Sequence, residues 1–235
     1  MEKHLPSLHF EFYDNQLMSP LTVVNNGHTV NIDLPRSALV PQITGGLMWE
    51  KFEPKSIHFH WGSPNSKGSE HTINNERYDA EIHIVHKNVR YFDLSVGEAS
   101  KFPDGLAVLA LMIQAVPVSK RTDNPLFKIF DVLPQIIPNQ SNATIKGEFS
   151  LQQFLDQVEN KDFYTYKGSL TTPMCAESVT WTVFKDVVHF PQKEMSKLWS
   201  LRDSRGRPLI NNYRKSQNIN YRDVYFKHAP VYRGP

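Results

Sequence analysis

The chain has 235 residues, is 40% hydrophobic, and carries 26 basic against 24 acidic residues for a net charge of +2. That length buries a sizeable core and is expected to form a single domain over residues 1–235. The balanced charge excludes the basic excess of a nucleic-acid binder, and no like-charge block reads as an interaction tail.

The opening "MEKHLPSLHFEFYDN" has no apolar run of the kind a signal peptide needs. "HTVNIDL" (28–34) alternates Val30, Ile32 and Leu34 with polar residues, which predicts a strand. "SIHFHW" (56–61), "AEIHIVH" (80–86), "GLAVLALMI" (105–113) and "SVTWTVF" (178–184) are rich in β-branched and aromatic residues and predict further strands. The apolar run 105–116 is too short to cross a bilayer and contains Gln114, so no membrane-spanning segment is expected. Short helices are predicted over 124–133, with Pro125 near the start, and over 193–201. A third is predicted over 150–158, where Ser150 and Gln153 match a capping box. Strands outweigh helices, so the expected fold is mainly β: one large sheet with a few short peripheral helices.

Alternation along a strand places Ser56, His58 and His60 on one face, and Glu81, His83 and Val85 on one face of a second strand. If the two strands are neighbours, His58, His60 and His83 converge. Three neutral imidazoles are the ligand set of an open tetrahedral zinc site, and zinc so held lowers the pKa of a bound water to about 7. Glu81 is placed to accept the proton on the outer nitrogen of His83. An HxH pair is also met as hydrogen-bonded histidines on a half-buried face. His86 is an alternative third ligand, disfavoured by its strand phase, and His71, in a turn-rich segment, reads as a structural hydrogen-bonding residue. Cys175 is the only cysteine, which excludes an internal disulfide and a cysteine-rich metal site.

"VVNNGHTVNI" (23–32), "IHFHWGSPNSKGSEHT" (57–72), "YDAEIHIVH" (78–86), "PDGLAVLA" (103–110), "YTYKGSLTTPMCAESVTWTVF" (164–184) and "NNYR" (211–214) run in the order of the α-class carbonic anhydrases. Over nearly its whole length the chain resembles that family. The resemblance implies the family's twisted, mostly antiparallel sheet and a zinc-dependent hydration of carbon dioxide to bicarbonate and a proton. His58, His60 and His83 would bind Zn2+, with Glu81, Ser56 and Asn212 standing behind them. Zinc hydroxide would be the nucleophile, oriented by Thr171, whose own proton goes to Glu70. Thr172 would line the product site, and Val85, Val108, Leu170, Val179 and Trp181 would form the apolar wall for carbon dioxide. His28, with Asn26 and Asn31 nearby, would carry protons to solvent. Carbon dioxide, bicarbonate, sulfonamides and anions are the implied ligands of an expected monomer.

The chain departs from the family pattern at several positions. Ser56 stands where a glutamine is usual, Met174 replaces the second proline of "TTPP", and Lys87 replaces a common tryptophan. His28 lies closer to the start than the pattern expects, as if an N-terminal segment with an aromatic cluster and a network tyrosine were missing. Cys175 matches a position at which secreted members pair with a cysteine in that segment. With the sequons at Asn139 and Asn142 this suggests a secreted parent protein, and a cytoplasmic one if the chain is complete. The rival readings are a non-catalytic binding or adhesion module on the same fold and an inactive truncated isoform.

Overall fold

The computed structural model describes residues 5–17, 20–117, 124–158 and 162–228. Its strands are β1 (His9–Glu11), β2 (Leu21–Asn25), β3 (Val30–Asp33), β4 (Gln42–Gly45), β5 (Met48–Trp61), β6 (Thr72–Ile73) and β7 (Glu76–Arg77), then β8 (Ala80–Asn88), β9 (Leu106–Val116), β10 (Ser141–Ile145), β11 (Phe163–Gly168), β12 (Val179–Pro191) and β13 (Tyr225–Lys227). Eleven of them form one sheet in the order β10-β2-β3-β5-β8-β9-β12-β11-β13, with β4 on β5 and β1 on β4, while β6 and β7 make a separate hairpin. Among the described residues only β9 and β12 run parallel, and every other pairing in the sheet is antiparallel. A parallel pair needs a long crossover, and the chain from 117 to 178 supplies it with helices and two further strands.

Strands β5 and β12 outrun their sequence signals, while the 28–34 signal gives only the shorter β3. The run read at 56–61 begins at Met48, and the run read at 178–184 continues to Pro191. The short α1 (Val96–Ala99) has no counterpart among the sequence signals, and the expected helices are shorter than predicted. The 124–133 signal gives α2 (Pro125–Val132), capped by the Asn124 side chain, which accepts from the Leu126 N–H at 2.9 Å. Such a cap is worth about 1 kcal/mol. The 150–158 signal gives only α3 (Gln152–Leu155), and just half of the capping box forms: the Ser150 N–H donates to Gln153 Oε1 at 3.2 Å, while Leu151 occupies the cap with no side-chain bond. The 193–201 signal divides into α4 (Gln192–Met195) and a 3-10 turn over Ser196–Ser200.

The two faces of the sheet do different work. Ile57, Phe59 and Trp61 of β5, Ile82 and Ile84 of β8, and Leu109, Leu111 and Ile113 of β9 pack with α2 in the main core. Phe59 meets Phe130 of α2 edge-on, with ring centroids 6.2 Å apart. The opposite face carries a smaller apolar cluster and the histidines.

A β-bulge decides which residues of β5 face which way. Phe52 pairs with Asn88 and Pro54 with His86, but Ser56 pairs with Val85, so Lys55 is the extra residue. Even-numbered Phe52 therefore shares the core with odd-numbered Ile57, and His58 and His60 are sent to the other face. Proline, which cannot donate to a ladder, sits where the ladder breaks.

Candidate metal centre

Beyond the bulge, His58 stands opposite His83 and His60 opposite Glu81 in the β5–β8 ladder. Ring centroids of the three histidines lie 5.1 Å (His58–His60), 5.0 Å (His58–His83) and 4.6 Å (His60–His83) apart. One nitrogen from each falls within 4.8 Å of the others, and His58 Nε2 approaches His83 Nδ1 to 3.2 Å. Two nitrogens on a tetrahedral zinc are about 3.3 Å apart, from bonds of about 2.0–2.1 Å.

The outer nitrogens of two rings are committed to groups that only accept. His60 Nδ1 faces the Asn212 carbonyl at 2.9 Å, and His83 Nε2 faces Glu81 Oε1 at 2.6 Å. Each must carry its proton there, which leaves the lone pairs of His60 Nε2 and His83 Nδ1 pointing inward. His60 Nε2 is buried with no hydrogen-bond partner. Burial, together with the neighbouring His83, holds His58 well below the usual histidine range and lowers His60 as well, so both rings are neutral. A buried orphan nitrogen, neutral rings and inward lone pairs fit a zinc ion.

Glu81 anchors the cluster from beneath. It is fully buried, and its Oε2 accepts the Glu70 and His71 backbone N–H groups at 2.7 Å each. Its Oε1 takes His71 Nδ1 and His83 Nε2, each at 2.6 Å. Burial alone would raise this carboxyl, but His71 and His83 hold it well below the usual range. Burial likewise opposes the charge on His71, and Glu81 overrides it, so that imidazole is raised. His71 Nε2 then meets the Tyr166 hydroxyl at 2.7 Å, which makes it a bridge between β8 and β11.

Asn212 ties the other side. Its Oδ1 accepts the Trp61 N–H at 2.7 Å, and its Nδ2 donates to the His28 and Phe59 carbonyls at 3.0 and 3.1 Å. His28 lies in a turn in which Asn26 Oδ1 accepts the N–H groups of His28 and Thr29, both at 2.9 Å. Its ring is exposed and borders an open cavity shared with Asn212, Asp203 and Leu209. Asn31 stands opposite His58 across β3–β5 and bonds Asp33 at 2.9 Å. Ser56 pairs with Val85, and among the described residues no hydrogen bond joins it to His58.

The apolar positions gather beside the histidines. Val85, Val108 and Trp181 are adjacent rungs on β8, β9 and β12, Val179 is buried with them, and Leu170 packs against the group. Thr171 and Thr172 lie in the loop after β11, half-buried and exposed respectively. Thr171 lines a cavity with Glu70, but the two are not hydrogen-bonded: Glu70 Oε1 accepts the Arg214 N–H at 2.7 Å, and Oε2 is buried without a partner. His86 lies on the core face, bonded to the Tyr13 hydroxyl and, at 2.8 Å, to the Ile84 carbonyl. Tyr166 and Arg214 escaped the sequence reading. Alternation from Trp181, which Tyr166 faces across β11–β12, would have found the tyrosine; a backbone N–H on Glu70 leaves no trace in sequence.

Cys175 is a half-buried free thiol with φ of 54°. Of the two sequon asparagines, Asn142 is exposed on β10, whereas Asn139 has its Oδ1 buried. No helix among the described residues is long and apolar enough to cross a membrane.

A sequence model described as eukaryotic-type carbonic anhydrase matches residues 1–228. Carbonic anhydrase 6 of Bos taurus is 38% identical over 208 residues, which cover 87% of this chain and 61% of that protein. Carbonic anhydrase 12 of Homo sapiens is 33% identical over 97% of this chain and 63% of its own length, and carbonic anhydrase 6 of Homo sapiens is 35% identical over 94% and 69%. The chain thus spans a little over three-fifths of the first two relatives. On the match of nearly its whole length, the chain belongs to the eukaryotic-type carbonic anhydrase family.

Proposed function

We propose that the chain catalyses the zinc-dependent, reversible hydration of carbon dioxide to bicarbonate and a proton. The observation that carries this reading is the convergence of His58, His60 and His83 with a buried, unpartnered nitrogen facing the centre of the group. When bound, zinc would supply a Lewis acid that lowers the pKa of a coordinated water to about 7.

The chain's own residues do the rest. Asn212 and Glu81 hold the ring protons of His60 and His83 on the outer nitrogens, which fixes the donors in place. Val85, Val108, Leu170, Val179 and Trp181 exclude water and offer an apolar surface to a linear, uncharged substrate. Thr171 accepts a hydrogen bond from the attacking oxygen and donates its own proton to Glu70, whose Oε2 is the free acceptor such a donation requires. Thr172 lines the place where bicarbonate leaves. The exposed His28 imidazole takes the released proton to solvent, with Asn26 and Asn31 beside the path. Sulfonamides and small anions are expected to compete for the metal.

One observation favours a second reading, a metal-holding module without turnover: Thr171 and Glu70 are not hydrogen-bonded to each other. Zinc content of the purified chain, measured alongside stopped-flow carbon dioxide hydration, separates the two. One zinc with turnover supports the first reading, one zinc without turnover the second, and no zinc on wild-type protein overturns both.

A further inference from the structure

Beside Trp181 and His71 lies a cavity of about 340 Å3 that His58, His60 and His83 do not line, although Glu70 and Thr171 do. Tyr164, Tyr166 and Trp181 make one wall, and Ile219 and Val224 of the C-terminal segment make another. Arg214 and Arg222, half-buried, and Lys215, exposed, line its solvent side. Among the described residues none of these three cations is paired with a carboxylate. Arg214 reaches only Ser169 Oγ at 3.4 Å, and Arg222 donates to the Ile219 and Asn218 carbonyls at 3.0 and 2.6 Å. The Arg222 guanidinium also lies 5.5 Å from the centre of the Tyr166 ring.

We propose that this cavity, which adjoins Glu70 and Thr171 but none of the three metal-site histidines, is a binding site for a small aromatic carboxylate. Its volume falls in the range of small-molecule pockets, and its lining joins a cluster of aromatic and aliphatic side chains to a larger set of polar and charged ones. The polarity of the site sets the orientation of the ligand. Glu70, with its side chain 4% exposed, lies at the deep end and repels a carboxylate there. The ring therefore goes inward against Tyr166 and Trp181, and the carboxylate stays on the solvent side between Arg214 and Arg222. Planar guanidinium groups suit it, since they pair with carboxylates through two parallel hydrogen bonds.

The test uses 2-naphthoate on protein stripped of metal by chelation, so that no anion is held by zinc, and reads binding by calorimetry and by quenching of tryptophan fluorescence. The expected result is one site. Arg222→Ala is expected to weaken it by about tenfold, the scale of a lost charge-assisted hydrogen bond. The neutral 2-naphthamide on wild-type protein is expected to lose a similar factor, which keeps the test independent of how the variant folds. Naphthoate and naphthamide binding equally well would overturn the proposal. So would binding seen only on zinc-loaded protein and displaced by a sulfonamide, and so would no binding at all. None of these outcomes bears on the hydration reading, which stands or falls on zinc content and turnover.

Discussion

His58 and His83 stand directly opposite one another across the β5–β8 ladder, and their facing nitrogens, Nε2 and Nδ1, are 3.2 Å apart. Opposed residues on one face of an antiparallel pair have Cβ atoms only about 4.5–5.5 Å apart, so the sheet itself brings the rings together. His60 completes the group from two residues along the same strand, where every side chain returns to the same face. The cluster rests on rigid, buried strands, and its geometry does not depend on a loop.

Glu81 is the support most exposed to a conservative change. Glu81→Gln removes the charge that draws four donors together and turns an amide N–H toward one of them. Zinc affinity, measured by competition with a chromophoric chelator, is expected to fall about 10–100-fold. Unchanged affinity would remove Glu81 from any part in holding the metal.

Thr171→Ala is expected to lower carbon dioxide hydration by at least about 100-fold while leaving one zinc bound, because a misplaced nucleophile costs rate without costing ligands. Glu70→Gln is expected to act in the same way, since its buried Oε2 is the acceptor proposed for the threonine proton. Turnover equal to wild type in either variant would strike that residue from the mechanism.

His28→Ala tests the proton exit. The imidazole is exposed to solvent, and each hydration releases one proton. At low buffer concentration the variant is expected to lose kcat and to regain much of it with added imidazole, while kcat/KM stays near wild type. Identical buffer dependence of the two proteins would mean that protons leave by another route.

His86 predicts a stability effect away from the metal. Burial lowers its pKa from 6.5 to about 3, so the folded state resists a proton that the unfolded state takes up. Stability is therefore at its full value above pH 6.5 and falls as pH drops from there toward 3, by about 1.4 kcal/mol per unit. Denaturant melts of metal-free wild type and His86→Gln across pH 6.5 to 4.5 are expected to differ in slope by about that amount, with the variant the flatter. Parallel slopes would show that His86 protonates freely in the folded chain.

The residues that make the site were largely legible in the sequence. Alternation over 56–61 and 80–86 placed His58 with His60 and Glu81 with His83, because strand side chains alternate by covalent geometry alone. The same phase put His86 on the other face, where it packs against Tyr13. Helix lengths were less legible: α3 is a single turn, although Leu151, Phe154, Leu155 and Val158 fall on one stripe, because those residues are buried by neighbours whatever the backbone does after Leu155.

What alternation cannot supply is the partner, the register and the face that becomes the core. These depend on contacts far apart in the chain. The bulge at Lys55 reverses the phase of β5, so the pattern before Pro54 and the pattern after it give opposite answers about which side is buried. Only the pairing with β8, which accommodates that extra residue, decided that His58 and His60 leave the core. In the same way Asn212, 152 residues from His60, offers a backbone carbonyl that every residue type possesses. Sequence by itself chose the chemistry of the side chains; the long-range packing of the sheet chose which of their atoms were left free to act.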